Sequence, residues 1–517
     1  MCITFVLTLG VVPLVVFIAD GGKSPFDGGR TLDGYLRVAV LTLHACLIAA
    51  WLHTKCTTPA STEVLIGAPS RPAAVRDAYL DNIKSMLTLT VVCHHVACCF
   101  NTTPIFFNIA TVTCTKNATV DPATSPCDPT TYGDNLFNRV FVAWFLDINQ
   151  SWFMTAFFFI SAYFTPGSVD RKGAKTFLIE RAKRLSLPFL VFFFLINALV
   201  VCVNAGFDGI SASTLWNAPS AGSGLFFQEG PPWFISWLVL FGLLYVGVHS
   251  KRAALKLPAP TLAPLLLFGF LVGLMCTFLS PSGFPPTAFA IPGAPMPGGL
   301  YMFVWYIVAW GGGIAAKRGG WLEAWLGTAD AEAAIEPGQE RFLVTMVALT
   351  LVVKFYYEYS KAYFPEFKPA GYPATPFPYE TEMSVLMHGI FPVSMFLVTL
   401  FGFKRFCNSG TGLWKFASHA AYTVYLIHSL VVVGVMGLYM RIADAVLKST
   451  SGGFVLVNDG GKNDMIPYGE YVVVCSTKGH QELFAWCGFV FVCVVSNGVV
   501  WPLAWCVKSL PGCRDVL

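Results

Sequence analysis

Charged residues are scarce in this sequence. They make up 12% of the 517 residues, whereas hydrophobic residues make up 55%, and the mean hydropathy is +0.62. One soluble core would not use so much apolar surface, so the composition excludes a single soluble domain. The net charge of +4 is spread over many loops, and nothing in it indicates a nucleic-acid partner. The composition therefore predicts a polytopic membrane protein in contact with membrane lipids.

Two further signals are missing. The first apolar stretch, residues 2–19, has no basic residue before it and no clear small-residue cleavage site after it, which favours a membrane span over a signal peptide. The 16 cysteines and 9 histidines show no spacing typical of a metal site. We therefore expect neither a metal ion nor a bound cofactor.

Apolar segments, by contrast, recur along the whole chain. Twelve of them have nearly the length that a helix needs to cross a bilayer. They are residues 2–19, 35–53, 80–100, 148–165, 185–204, 232–249, 262–280, 300–316, 342–358, 383–402, 420–440 and 484–506. The pattern predicts an all-α fold, a polytopic transmembrane helix bundle.

The positions of lysine and arginine predict the orientation. If the amino terminus is cytoplasmic, most of the 33 Lys and Arg lie in or beside cytoplasmic loops, as the positive-inside rule requires. Two loops on the opposite side, 205–231 and 281–299, contain none.

The loop 101–138 supports this orientation. It contains glycosylation sequons at Asn101 and Asn117 and two cysteines, Cys114 and Cys127, which suit an oxidising lumen. We therefore expect a glycoprotein of a eukaryotic secretory-pathway or cell-surface membrane.

A second outer loop spans residues 441–483. Its β-branched runs 454–457 and 471–475 flank the turn-forming residues 458–461 and predict a small hairpin, with a disordered loop as the alternative.

The segment 80–100 contains the first candidate site. Lys84 and His95 are eleven residues apart, which is three helical turns with about 20° of drift, so they share a face. His95 would lie about 16 Å along the helix from Lys84, whereas the neighbouring His94 points about 100° away. Ionisable groups inside a membrane usually face a polar cavity and have a function. The alternative is a histidine hydrogen-bonded between packed helices.

A pair of arginines forms the second candidate site. Arg181 and Arg184 lie at i and i+3 on a short helix that enters the membrane before Pro188, and they would present two guanidinium groups side by side. Such a pair suits a phosphate or pyrophosphate group. Alternatively, the two residues are topological anchors, with Arg184 paired to Glu180.

Four sequence motifs occur together in one order. The Lys84-x10-His95 helix comes first, and FFFISAYFTPGS (157–168) with RAKRLSLPF (181–189) follows. PWFI (232–235) and AYTVYLIH (421–428) come later. This combination resembles the acyltransferase 3 family of integral membrane acyltransferases, and it looks closest to the glucan-modifying succinyltransferase branch.

The resemblance implies a division of the chain into three parts. Residues 80–506 would form the ten-helix acyltransferase core of the family. Residues 1–79 would add two amino-terminal spans, and residues 507–517 would form a cytoplasmic tail.

The resemblance also implies an activity, the transfer of an acyl group from cytoplasmic acyl-CoA to a hydroxyl of a glycan or lipid acceptor. His95 would act as a general base or as a transient acyl carrier, with His428 as a second catalytic candidate. The remaining site candidates would bind substrate: three cations for the donor phosphates and two aromatic cavity walls, namely Lys84, Arg181, Arg184, Trp233 and Tyr425.

Two other classes of protein fit the same residues. A proton-coupled solute transporter would use an intramembrane relay of His95, His388, His428 and Lys354. An inactive relative that only binds lipid or sterol is the third possibility.

Overall fold

The structure is a computed structural model that describes most of the chain. The described residues are 32–57, 78–100, 109–113, 136–207, 230–249, 256–279, 299–327, 335–363, 380–449, 454–458, 471–475, 478–514 and 516–517. The segment 2–19, both sequons, and Cys114 with Cys127 lie outside the described residues.

Helices account for nearly all of this structure. The α-helices are α1 Leu32–Thr57, α2 Tyr79–Cys98, α3 Ala143–Lys172, α4 Ala174–Arg181, α5 Leu187–Val191, α6 Asn197–Phe207, α7 Trp233–His249, α8 Leu262–Leu279, α9 Gly299–Gly319, α10 Trp321–Leu326, α11 Pro337–Tyr363, α12 Glu380–Val385, α13 Phe391–Phe406, α14 Gly412–Ser449 and α15 Lys478–Ser509. Four π-helical segments join or precede them, namely Phe137–Val142, Ala182–Ser186, Phe192–Ile196 and Leu386–Ile390.

A small β-sheet accompanies the bundle. Its strands are β1 Ile109–Thr113, β2 Phe454–Asn458 and β3 Tyr471–Cys475. β2 and β3 pair antiparallel, with Phe454 opposite Cys475, which confirms the predicted hairpin. β1 pairs parallel to β3 from a loop in which we had predicted no strand. The fold is thus a helix bundle accompanied by one three-stranded sheet, and the predicted all-α bundle is confirmed for nearly all of the described residues.

The apolar segments predicted from the sequence coincide with helices from residue 35 onward. Within the described part of the chain, five helical stretches are long and apolar enough to cross a membrane: Ala174–Phe207, Gly338–Tyr363, Glu382–Phe406, Gly412–Ala443 and Glu482–Ser509. Three shorter apolar helices, within α1, α7 and α8, accompany them. These helices fit a multi-pass membrane protein.

Helices α2 and α14 begin at the same place. The Asn82 side-chain amide donates hydrogen bonds to the carbonyls of Cys407 and Ser409, at 2.6 and 3.0 Å, and the Tyr79 backbone N–H donates to Asn408. Cys407, Asn408 and Ser409 lie in the turn between α13 and α14. The start of α2 is therefore fixed to the start of α14, and the two helices run in parallel from this turn.

Helices α3 and α9 approach each other very closely at Gly313. A Cβ atom at Gly313 would lie 2.3 Å from the Phe159 carbonyl oxygen and 2.8 Å from the Ala162 Cβ. Such distances are far below van der Waals contact, so the backbones could not stay where they are. Gly311, two residues earlier in α9, has no atom within 4 Å of the same position.

We therefore expect Gly313→Ala to destabilise the protein by about 1–3 kcal/mol, the usual effect of overpacking a filled core. Gly311→Ala is the matched control. It should leave stability unchanged or raise it by up to about 1 kcal/mol, because alanine favours a helix more than glycine does. Thermal unfolding of both purified variants in detergent measures the difference. Equal melting temperatures for the two variants would contradict the close approach of α3 and α9.

Candidate active site

The two predicted catalytic histidines meet inside the bundle. His95 Nδ1 lies 2.8 Å from His428 Nε2, a hydrogen-bond distance, and their rings stack with centroids 4.8 Å apart. Each is the seventeenth residue of its helix, counted from Tyr79 in α2 and from Gly412 in α14. Because both helices start at one turn and rise equally per residue, the two side chains reach the same depth.

Hydrogen bonding decides where the ring protons lie when both histidines are neutral. His428 Nδ1 is 2.8 Å from the Tyr425 carbonyl oxygen, which can only accept, so Nδ1 must carry the proton. His428 Nε2 then accepts the hydrogen bond that His95 Nδ1 donates. This leaves the lone pair of His95 on Nε2, the nitrogen suited to accept a proton or attack a carbonyl.

The histidines of this region differ in how far their side chains are exposed. His95 is half-buried, whereas His428 is 0% exposed. His94 is 7% exposed and packs on Phe153, with ring centroids 5.1 Å apart. The structure thus places His94 against α3 and makes His95 the more exposed member of the hydrogen-bonded pair.

The two predicted cavity walls are both buried aromatic residues. The Tyr425 hydroxyl donates a hydrogen bond to the Pro231 carbonyl, which joins α14 to the turn before α7. Trp233 begins α7 and packs on Tyr306 and Phe158, with ring centroids 5.6 and 6.4 Å apart. Tyr425 also supplies the carbonyl that orients His428, a backbone role that its residue type did not indicate.

Lys84 lies near the start of α2, three turns from His95 on one uninterrupted helix. Its ammonium group is 2.6 Å from Asp81 and 5.3 Å from the ring centroid of Phe164. The side chain remains 34% exposed. Lys84 is therefore a partly solvated cation that already forms an ion pair within α2.

Arg181 is held between helices. It donates hydrogen bonds to the Leu238 carbonyl at 2.8 Å and to the Thr165 hydroxyl at 2.9 Å. Its guanidinium carbon lies 4.7 Å from the ring centroid of Phe177 and 5.7 Å from that of Trp310. These contacts connect α4 to α3, α7 and α9, so Arg181 contributes to the packing of the bundle.

Arg184 has different surroundings from Arg181. It is exposed, and its carbonyl accepts a hydrogen bond of 2.6 Å from the Tyr422 hydroxyl of α14. The segment Ala182–Ser186 is π-helical, and its wider turn changes the angle between side chains. The α-helical i, i+3 spacing that placed both guanidinium groups on one face therefore does not hold here.

A partly buried ion-pair cluster joins α11 to α3. Lys354 Nζ is 2.8 Å from Asp147 Oδ2 and 2.5 Å from Glu358 Oε1. The Lys354 and Glu358 side chains are 6% and 4% exposed, whereas Asp147 is 56% exposed. Sequence reasoning missed both carboxylates, although Glu358 lies one helical turn from Lys354 and carries the i, i+4 signal of an ion pair.

The comparisons with known proteins give one match. A family model described as an acyltransferase domain, the acyltransferase 3 model, matches residues 77–505. No curated protein and no solved structure matches the chain significantly. The matched range includes both histidines of the pair and the two arginines, and it covers most of the 517 residues. The chain belongs to the acyltransferase 3 family.

Proposed function

We propose that this protein transfers an acyl group from cytoplasmic acyl-CoA to a hydroxyl group of a glycan or lipid acceptor. The observation that supports this proposal most directly is the hydrogen bond between His95 and His428, which orients a histidine with its lone pair on Nε2. Membership of an acyltransferase family favours an enzyme over a transporter. Lys354, one member of the transporter relay, is instead engaged by Asp147 and Glu358.

His95 Nε2 would act as the general base. It removes the proton from the acceptor hydroxyl as the oxygen attacks the thioester carbonyl. The tetrahedral intermediate then collapses, the carbon–sulfur bond breaks, and the CoA sulfur takes the same proton from His95. The products are the acyl ester and CoA, and the base is regenerated. His428 does not touch the substrate in this mechanism and is a positioning residue that fixes the tautomer of His95.

The donor would approach from the end of the bundle where α2 and α14 begin. Lys84 and Arg184 are two of the exposed or partly exposed cations at that end, and both side chains suit phosphate groups. The thioester arm would extend from these cations along α2 and α14 towards His95. The acceptor would be bound from the opposite side, in a secretory-pathway or cell-surface membrane.

Sealed vesicles of known orientation test this proposal. Radiolabelled acyl-CoA is supplied to one face only, and the released CoA and the covalently acylated acceptor are measured. We expect CoA release only when the donor contacts the face bearing Lys84 and Arg184, because the thioester must enter beside those cations. The label should become covalently attached to a lumenal or membrane acceptor.

Two results would contradict the proposal. Label that crosses the membrane as an intact, extractable solute without thioester cleavage would indicate a transporter. CoA release that requires the donor on the other face would reverse the proposed topology and remove Lys84 and Arg184 from the donor site.

A further inference from the structure

One face of α3 lies opposite the face of α2 that carries His95. Lys84 Nζ is 5.3 Å from the ring centroid of Phe164, and the His94 ring centroid is 5.1 Å from that of Phe153. The contact thus moves back along α3 as it moves forward along α2, so the two helices are antiparallel. Because Lys84 and His95 share a face of α2, the residues of α3 that share a face with Phe164 border the same space between the helices.

Gln150 is on that face of α3 and at nearly the depth of His95. It lies four helical turns before Phe164, with about 40° of drift. Phe153, which contacts His94, comes three residues after Gln150, or about 4.5 Å along α3. His95 is one residue, or about 1.5 Å, beyond His94 in the opposite chain direction. Gln150 therefore lies about 3 Å beyond His95, towards the end at which α2 finishes and α3 begins. Both side chains are half-buried.

Aromatic contacts connect this face of α3 to the histidine pair. Phe157, two turns after Gln150, packs on Phe234 of α7 with ring centroids 5.8 Å apart. The Phe234 ring is 6.3 Å from that of Tyr425, and the Tyr425 ring is 6.2 Å from that of His428. The helices α2, α3, α7 and α14 therefore meet around the histidine pair, and Gln150 is on the wall that α3 contributes.

The Gln150 amide is held by one hydrogen bond. Its Nε2 donates to the hydroxyl of Tyr306 in α9 at 3.3 Å, and Tyr306 is 0% exposed. Within the described part of the chain this is the only hydrogen bond of the Gln150 side chain, so Oε1 is available as an acceptor. An amide oxygen is not a base: it accepts a hydrogen bond from a hydroxyl group and leaves the proton there.

We propose that Gln150 Oε1 accepts a hydrogen bond from a second hydroxyl of the acceptor, next to the hydroxyl that His95 deprotonates, and thereby selects vicinal diols. This inference rests on the proposed function. An alcohol with one hydroxyl gives its only proton to His95 and leaves Gln150 without a partner, which lowers its affinity. The offset of about 3 Å along the helices suits hydroxyls on neighbouring carbons. A sugar ring and the glycerol headgroup of a lipid both present such a pair.

Two small acceptors test this selection. The full-length protein in phosphatidylcholine nanodiscs receives the acyl-CoA of the vesicle assay with either trans-1,2-cyclohexanediol or cyclohexanol, which differ only by the second hydroxyl, and ester formation is measured. We expect the wild type to prefer the diol and Gln150→Met to lower that preference about 3- to 10-fold, the loss of one neutral hydrogen bond. Transfer to cyclohexanol should not change. Tyr306→Phe, which removes the hydroxyl that holds the amide, should lower the preference by less.

Gln339→Met is the matched control. It makes the same change at a glutamine of α11 that accepts a hydrogen bond from the Glu336 backbone N–H, and it should keep the diol preference. A preference that survives in both Gln150→Met and Tyr306→Phe would overturn the inference. An equal loss of transfer to both acceptors would also overturn it, because that loss indicates a packing role.

A second arm distinguishes the two sources of the diol. Methyl β-D-glucopyranoside stands for a sugar and 1-O-hexadecylglycerol for a lipid headgroup, and the source is the one whose acylation falls in Gln150→Met but not in Gln339→Met. If neither falls, the inference is overturned. If the wild type releases no CoA with any acceptor, the proposed function fails separately. Saturation-transfer NMR then decides whether the protein binds the diol better than cyclohexanol and whether Gln150→Met removes that difference; without it, the inference fails as well.

Discussion

His95→Ala is expected to abolish measurable acyl transfer while leaving expression and membrane insertion near normal. A general base contributes about 10²–10⁴-fold to the rate, and alanine has no group that can take the proton from the acceptor hydroxyl. His94→Ala should be much milder, because His94 packs on Phe153 away from His428. CoA release with each purified variant, at matched protein levels, gives the comparison. A fully active His95→Ala protein would remove His95 from the mechanism.

His428 variants distinguish positioning from packing at the same site. His428→Ala should lower kcat with little change in the KM for donor, because His95 then loses the partner that fixes its tautomer. His428→Gln should recover part of kcat, since the amide oxygen can accept the hydrogen bond that His95 Nδ1 donates. If His428 served only to fill space, His428→Met would recover as much activity as His428→Gln. That result would leave His95 without a defined orienting partner.

Lys354→Met is expected to have the largest effect on stability of any change considered for this protein. Glu358, with its side chain 4% exposed, would lose the ammonium group 2.5 Å away. Breaking a buried ion pair by removing one partner costs about 3–5 kcal/mol. The partly screened Asp147 contact would add less. Melting temperature and the monodisperse fraction in detergent should both fall strongly.

Two further variants make the Lys354 prediction specific. Lys354→Met combined with Glu358→Leu should regain much of the lost stability, because apolar residues can replace a buried pair with little cost. Lys361→Gln is the control: this lysine is 53% exposed, lies 3.7 Å from Glu358 and should matter by about 1 kcal/mol or less. A Lys354→Met protein as stable as Lys361→Gln would mean that Glu358 is not buried as a charged group.

The sequence predicted those parts of the site that depend on one helix. Lys84 and His95 share a face because α2 is a continuous α-helix, and helical geometry needs no tertiary information. The β2–β3 hairpin was predictable in the same way, from β-branched runs on either side of a turn. Local periodicity therefore located the first histidine and the main helices.

The remaining features depend on contacts between distant segments. The hydrogen bond between His95 and His428 joins residues 333 positions apart, and no periodicity in either helix predicts it. The π-helical turn at Ala182–Ser186 separates the surroundings of Arg181 and Arg184, although propensity and spacing both indicated an ordinary helix. Similarly, Asp147 became a partner of Lys354 only through the packing of α3 against α11.

Because α2 and α14 start at the same turn, the number of residues in each helix sets the depth at which its histidine lies. The depth of the histidine pair is counted in residues from the Cys407–Ser409 turn, to which Asn82 binds. Inserting one residue in either helix would turn its histidine by about 100° and separate the pair. Inserting seven residues in both would keep the pair nearly in register but move it about 10 Å farther from the turn. A donor whose carrier arm matches the natural depth of the pair would then fall short of the histidines, whatever acyl group that arm holds.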